Sequence, residues 1–126
     1  MIKAVKIPIW GRDFDLPVEY EYYASETETD EQINAIKEFL FHEEWIEAAR
    51  KDVEEYCRRA VLEDEENEKK DNVFSYIKPD YFFVKRDEYE PRIALMCKYR
   101  YDPEHGVAIV FSHEGKTTVG IQDIIL

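Results

Sequence analysis

The sequence predicts an α+β fold: an antiparallel sheet, made of an N-terminal hairpin and a C-terminal meander, packed against one long helix or two consecutive ones. Three observations lead there. Period-2 alternation of apolar and polar residues fills both ends of the chain, helical periodicity fills the middle, and Gly-containing turns separate the last strands. The expected order is ββα(α)ββββ, a sheet with its helices on one side.

Each element has its own signal. Val5, Ile7 and Ile9 alternate with Lys6 and Pro8, and Phe14, Leu16, Val18, Tyr20 and Tyr22 alternate with Asp13, Asp15, Pro17, Glu19 and Glu21. Gly11-Arg12 between them suits a two-residue hairpin turn with Gly first. Pro17 has no amide donor, so its strand is expected at an edge, or with that nitrogen turned outward. Thr29-Asp30-Glu31-Gln32 fits a capping box. Ile33, Ile36, Leu40, Ile46, Ala49, Val53, Tyr56 and Ala60 follow at helical spacing. An unbroken helix from Thr29 to Leu62 would run about 50 Å at 1.5 Å per residue. A domain this size is only about 36 Å across. A break is therefore expected near His42 to Trp45, unless one helix lies diagonally across the sheet. Residues 63–72 (EDEENEKKDN) hold no apolar side chain and read as an acidic loop or frayed helix end.

Tyr76-Ile77 and Tyr81 to Val84 flank Lys78-Pro79-Asp80. Ile93, Leu95, Cys97, Tyr99 and Tyr101 alternate with Ala94, Met96, Lys98 and Arg100, and Val107 to Phe111 is apolar on both faces, as in a central strand. Thr117 to Val119 and Ile124 to Leu126 are expected to close the sheet. Gly106 and Gly115 sit in the connecting turns, where a positive φ is wanted.

At 126 residues, 44% of them hydrophobic and 14% aromatic, the chain 1–126 is expected to form one domain with an ordinary core. No run approaches the roughly 18 apolar residues of a membrane helix. The N-terminus alternates and has no secretory h-region, so the expected compartment is the cytoplasm. Cys57 and Cys97 show no metal or redox spacing and read as reduced, buried thiols.

The net charge of −12 is local. From Glu19 to Glu66 stand 17 acidic and 5 basic residues, a balance of −12, and the remaining 12 acids and 12 bases cancel. Such a distribution excludes nucleic acid and anionic membrane as expected partners, since phosphate contacts need clustered Lys and Arg. It favours a basic protein partner, met by Glu38, Glu43, Glu44, Trp45, Glu47, Asp52, Glu54 and Glu55, with aromatics Phe39, Phe41, Trp45 and Tyr56 interleaved among carboxylates. The competing reading is a solvated helical face. A homo-oligomer formed through the Pro17 strand is a further expectation.

Asp102, Glu104 and His105 share one turn, with Asp123 near the chain end. A His with carboxylates can bind a divalent metal or act as an acid–base pair, which gives an alternative reading as a metal-binding protein or hydrolase. Asp before Pro and Gly after His also make an ordinary turn. His42-Glu43-Glu44 matches HExxH only in its first two letters, with Ile46 where the second His would stand. No phosphate loop or nucleophile elbow occurs, so no enzyme activity and no cofactor are expected.

The segment from Tyr101-Asp102-Pro103-Glu104-His105-Gly106 to Phe111, followed by Val119-Gly120-Ile121-Gln122-Asp123, resembles the ending of small uncharacterised bacterial cytoplasmic domains. Some of these resemble immunity proteins that sit beside secreted toxins. Those families bring no established activity to carry over; an immunity-type role fits the acidic surface, and with it the first expectation is an inhibitor that covers a basic site on its partner.

Overall fold

A computed structural model describes residues 2–62, 73–112 and 114–126. Six strands form one sheet in the order β1-β2-β3-β4-β5-β6. They are β1 (Ala4–Ile9), β2 (Arg12–Tyr20), β3 (Ile77–Val84), β4 (Ile93–Tyr99), β5 (Val107–Phe111) and β6 (Thr117–Gly120). Between β2 and β3 come α1 (Asp30–Phe39), α2 (Glu44–Ala48) and α3 (Arg50–Leu62). The α+β class and the element order are those the sequence predicts. The acidic loop expected at 63–72 lies outside the described residues.

One junction departs from the antiparallel pattern. Val18, Glu19 and Tyr20 pair with Phe82, Phe83 and Val84 in parallel, while every other neighbouring pair is antiparallel. A parallel pair needs a crossover of a dozen or more residues, and the three helices supply it. The strand carrying Pro17 is therefore an inner strand, not an edge. Val18 N donates to Lys3 O. By alternation the nitrogen of Pro17 faces β3, one residue before that ladder begins. The edges are β1 and β6, so the Pro17 strand offers no free edge for a second copy.

The hairpin turn is Trp10-Gly11, since Ile9 pairs directly with Arg12. Trp10 has φ 50° and Gly11 φ 87°. Two positive φ values make the type I′ geometry that suits strand twist. The strained Trp costs on the order of 1–3 kcal/mol. Its burial returns more, about 4 kcal/mol from roughly 150 Å² at about 25 cal/mol per Å². The Trp10 indole donates to Ile46 O at 3.1 Å and lies 4.8 Å from the Phe74 ring, so the turn is clamped from outside the hairpin.

The helical region breaks where expected. α1 ends at Phe39, and Leu40 to Glu43 connect it to α2. Thr29 and Gln32 complete the capping box. Gln32 is fully buried, and its amide nitrogen also donates to Glu21 O at 2.6 Å and Val84 O at 3.1 Å. One side chain thus caps α1 and ties it to the ends of β2 and β3.

The main core lies between helices and sheet. Ile36, Phe39, Ile46, Ala49, Val53 and Cys57 meet Val5, Ile7, Ile9, Leu16, Val18, Phe82, Leu95, Ile109 and Phe111. A smaller cluster of Phe83, Ala94, Met96, Ala108, Val110 and Ile125 occupies the opposite face. β3 is continuous through Pro79, with Asp80 as a bulge. The chain ends in a short 3-10 turn, Gln122–Ile124, rather than the expected strand at Ile124 to Leu126. Ile125 from that end seals the smaller cluster.

Candidate functional site

The break after α1 makes the acidic site. α2 is short and begins beside the hairpin tip, because Trp10 donates to its Ile46. A cleft of about 250 Å³ opens there, lined by Glu43, Glu44, Glu47, Ile46, Pro8, Trp10 and Gly11. Three acidic residues thus share the lining with apolar Pro8, Trp10 and Ile46. Among the described residues, two light contacts restrain them: Glu44 meets His42 Nδ1 at 3.2 Å and Glu47 meets Arg50 at 3.5 Å. The His42 ring stacks on Trp45 at 4.2 Å, nearly parallel. Hydrogen bonding holds the Glu44 carboxyl below the usual carboxylate range, chiefly through its own backbone N–H and then through His42.

The four interleaved aromatics have separate fates. Phe39 is buried, and Trp45 and Tyr56 are half-buried against the core. Phe41, in the α1–α2 connection, is 84% exposed. It is the aromatic the region offers to solvent, two residues from Glu43.

The other predicted partner residues do not join this cleft. Glu38 and Trp45 line a small dent beside Phe39 and Pro91. Asp52 accepts a hydrogen bond from Thr117 Oγ1 at 2.7 Å, so it links α3 to β6. Glu54 is half-buried and Glu55 exposed on α3, neither of them lining the cleft. Glu21 and Glu26, earlier in the acidic stretch, are engaged by Lys85 and Arg86.

The carboxylate–histidine turn resolves into a pair. His105 Nδ1 lies 3.1 Å and 3.2 Å from the two Asp102 oxygens. The Asp102 hydrogen bond and its charge raise the His105 pKa, with smaller contributions from Glu104 and Asp123. Among the described residues, no three His, Cys, Asp or Glu side chains are grouped so as to hold a metal ion. Glu104 and Asp123 are exposed and make no contact of their own with the pair.

The Glu-His-Gly turn and the Gly-x-Gln-Asp ending form a structural latch. Gly106 has φ 60°, and a Cβ there would meet Cys97 O at 2.6 Å and Gln122 Nε2 at 2.7 Å. Gln122 Nε2 donates to Cys97 O at 3.1 Å, and Gln122 N donates to His105 O at 3.1 Å. A Cβ on Gly120 would press on Ile124 at 3.1 Å. The Glu-His-Gly turn and the Gly-x-Gln-Asp ending are therefore two halves of one contact.

Cys57 and Cys97 are both buried free thiols. Desolvation raises both pKa values, Cys57 to about 11 and Cys97 well above its ordinary value, as befits core residues.

No described helix is long and apolar enough to cross a membrane. No curated protein and no solved structure matches the chain. A family model described as a domain of unknown function, DUF6985, matches residues 2–126, nearly the whole chain, and the protein belongs to that family.

Proposed function

We propose that this domain is an acidic protein-binding module that covers a basic site on a partner, as an immunity-type inhibitor does. The observation that supports it is the cleft at the hairpin tip, where Glu43, Glu44 and Glu47 share the lining with Trp10 and Ile46, near in sequence to the 84% exposed Phe41. A cleft of about 250 Å³ has room for one Lys or Arg side chain. The carboxylates receive the charge, and the apolar lining receives the methylene stem. Phe41 supplies the kind of aromatic anchor that dominates binding energy. The remaining charge steers the encounter.

The test is affinity capture from the native cell extract, at about 50 mM and about 500 mM salt, across which screening shortens from roughly 13 Å to 4 Å. Wild type is compared with F41A and with the E43Q/E44Q/E47Q triple variant. A partner of basic sequence, bound by wild type and lost by both variants, with association slowed on the order of tenfold by salt, is the expected result. A partner held equally by all three proteins at both salts would place binding elsewhere and refute the reading.

A further inference from the structure

The neutral balance of the sheet conceals a cationic groove. Arg12, Lys78, Lys98 and Arg100 line a concavity of about 450 Å³ at the end of the sheet where β3 begins and β4 ends, with Tyr76, Tyr99 and Pro103 completing its walls. Lys78 and Lys98 are direct cross-strand partners. Alternation turns both away from the main core, onto the face of the smaller cluster, and both are exposed. Like charges directly opposite on a ladder are destabilising.

Nothing among the described residues offsets this. No carboxylate there pairs with Lys78, Lys98 or Arg100. Arg12 is set in place from within: its Nη2 donates to Phe74 O at 3.3 Å, and its guanidinium lies 5.2 Å over the Phe14 ring. Among the described residues of a protein of net charge −12, Lys78, Lys98 and Arg100 thus share one face of the groove with no carboxylate in ion-pair contact, and Arg12 borders the groove from the side of the main core.

We infer that this groove binds a small phosphate-bearing molecule. An Arg fork recognises phosphate oxygens in pairs, and two Lys ammonium groups add point charge. The volume suits a ligand of small-molecule size and not a protein surface. The ligand relieves the Lys78–Lys98 repulsion, so binding and stability are coupled. The groove is distinct from the acidic cleft, and either assignment can fail without the other.

The probe is sodium pyrophosphate, with citrate as a carboxylate counterpart, at constant ionic strength. On 15N-labelled protein, pyrophosphate shifts the backbone amides of Lys78, Lys98 and Arg100 and raises Tm by a few degrees at about 10 mM, as expected for a ligand that binds only the folded state. Ligand-free K78Q/K98Q is at least as stable as wild type, because repulsion is removed, yet its pyrophosphate-induced gain in Tm is lost. R100Q, which leaves the ladder pair intact, keeps the wild-type fold and loses at least half of the gain. Equal shifts with citrate would overturn the assignment to phosphate chemistry. Absent shifts, shifts centred on Glu43 to Glu47, or an undiminished gain in K78Q/K98Q would overturn the site itself. Salt-sensitive dimerisation in sedimentation, abolished by K78Q/K98Q, would overturn it in favour of a second copy of the chain.

Discussion

His105 shows how one residue ties the fold to pH. Its imidazole is held by both oxygens of Asp102, and that contact raises its pKa above the ordinary 6.5. A histidine whose folded pKa is raised adds stability that is fully present below the unfolded pKa. The stability is lost as pH rises through the folded value. The D102N variant should therefore lose most relative to wild type near pH 5.5 and converge with it above about pH 8. NMR titration of the His105 ring should show its pKa falling back toward 6.5 in D102N. An unchanged titration would mean that the Asp102 contact does not form in solution. Gly106, the next residue, works by shape alone, since any Cβ meets Cys97 O and the Gln122 side chain. His105 belongs to the set Asp102, Glu104, His105 and Asp123 that sequence reading offered as a metal or acid–base site, and Gly106 ends the same turn. Residue types alone do not separate the two roles. Gln122, sixteen positions after Gly106, fills the space beside the turn.

At the scale of elements, one buried amide joins three of them. Gln32 closes the capping box of α1 and donates to Glu21 O beyond β2 and Val84 O at the end of β3. Q32L keeps the volume but leaves Thr29 N and Glu21 O without that partner. Each buried polar group left unpaired costs about 1–3 kcal/mol. Urea unfolding should show a loss of about 2–4 kcal/mol with an unchanged m-value. A loss under about 0.5 kcal/mol would mean that water replaces the amide. The elements themselves were largely legible. Alternation marks β1, β2 and β4, and the break in the helical region follows from comparing its length with the domain diameter. The hairpin turn was misplaced by one residue, because Trp is rare at positive φ. Only the outside clamp on its indole makes Trp10 fit there. The parallel β2–β3 pairing was not legible, since alternation gives a strand its face and says nothing of its neighbour.

For the whole molecule, charge is the governing quantity. A surplus of 12 negative charges on 126 residues repels itself, and salt screens that repulsion. Thermal unfolding in increasing NaCl, from about 20 mM to 500 mM, should raise Tm by a few degrees, where ~1 kcal/mol corresponds to roughly 4 °C. A flat or falling Tm would show that the acids are already neutralised locally, as Glu21 and Glu26 are by Lys85 and Arg86. The acidic cleft was half legible. Glu43, Glu44 and Glu47 come from the charged stretch, but the Pro8 and Trp10 that share the lining come from the hairpin, more than thirty residues earlier. The cationic groove was hidden altogether, because summing charge over the sheet cancels cations gathered at one end against acids spread elsewhere.

The parallel seam between β2 and β3 bears on how the chain assembles. The turns within β3–β6 span at most eight residues, whereas 56 residues separate Tyr20 from Ile77. Closing the longer loop costs about 2 kcal/mol more in chain entropy than closing one of eight. The C-terminal meander can therefore form on its own timescale, and the N-terminal hairpin arrives afterwards to cover the open side of β3. Until it does, β3 is an uncovered hydrophobic edge, open to pairing with another molecule. The hairpin is held by three residue pairs with β3, the Gln32 bridge, the main core and the contacts of Trp10 and Arg12 with Ile46 and Phe74, and it is the segment that exchange between two chains would involve.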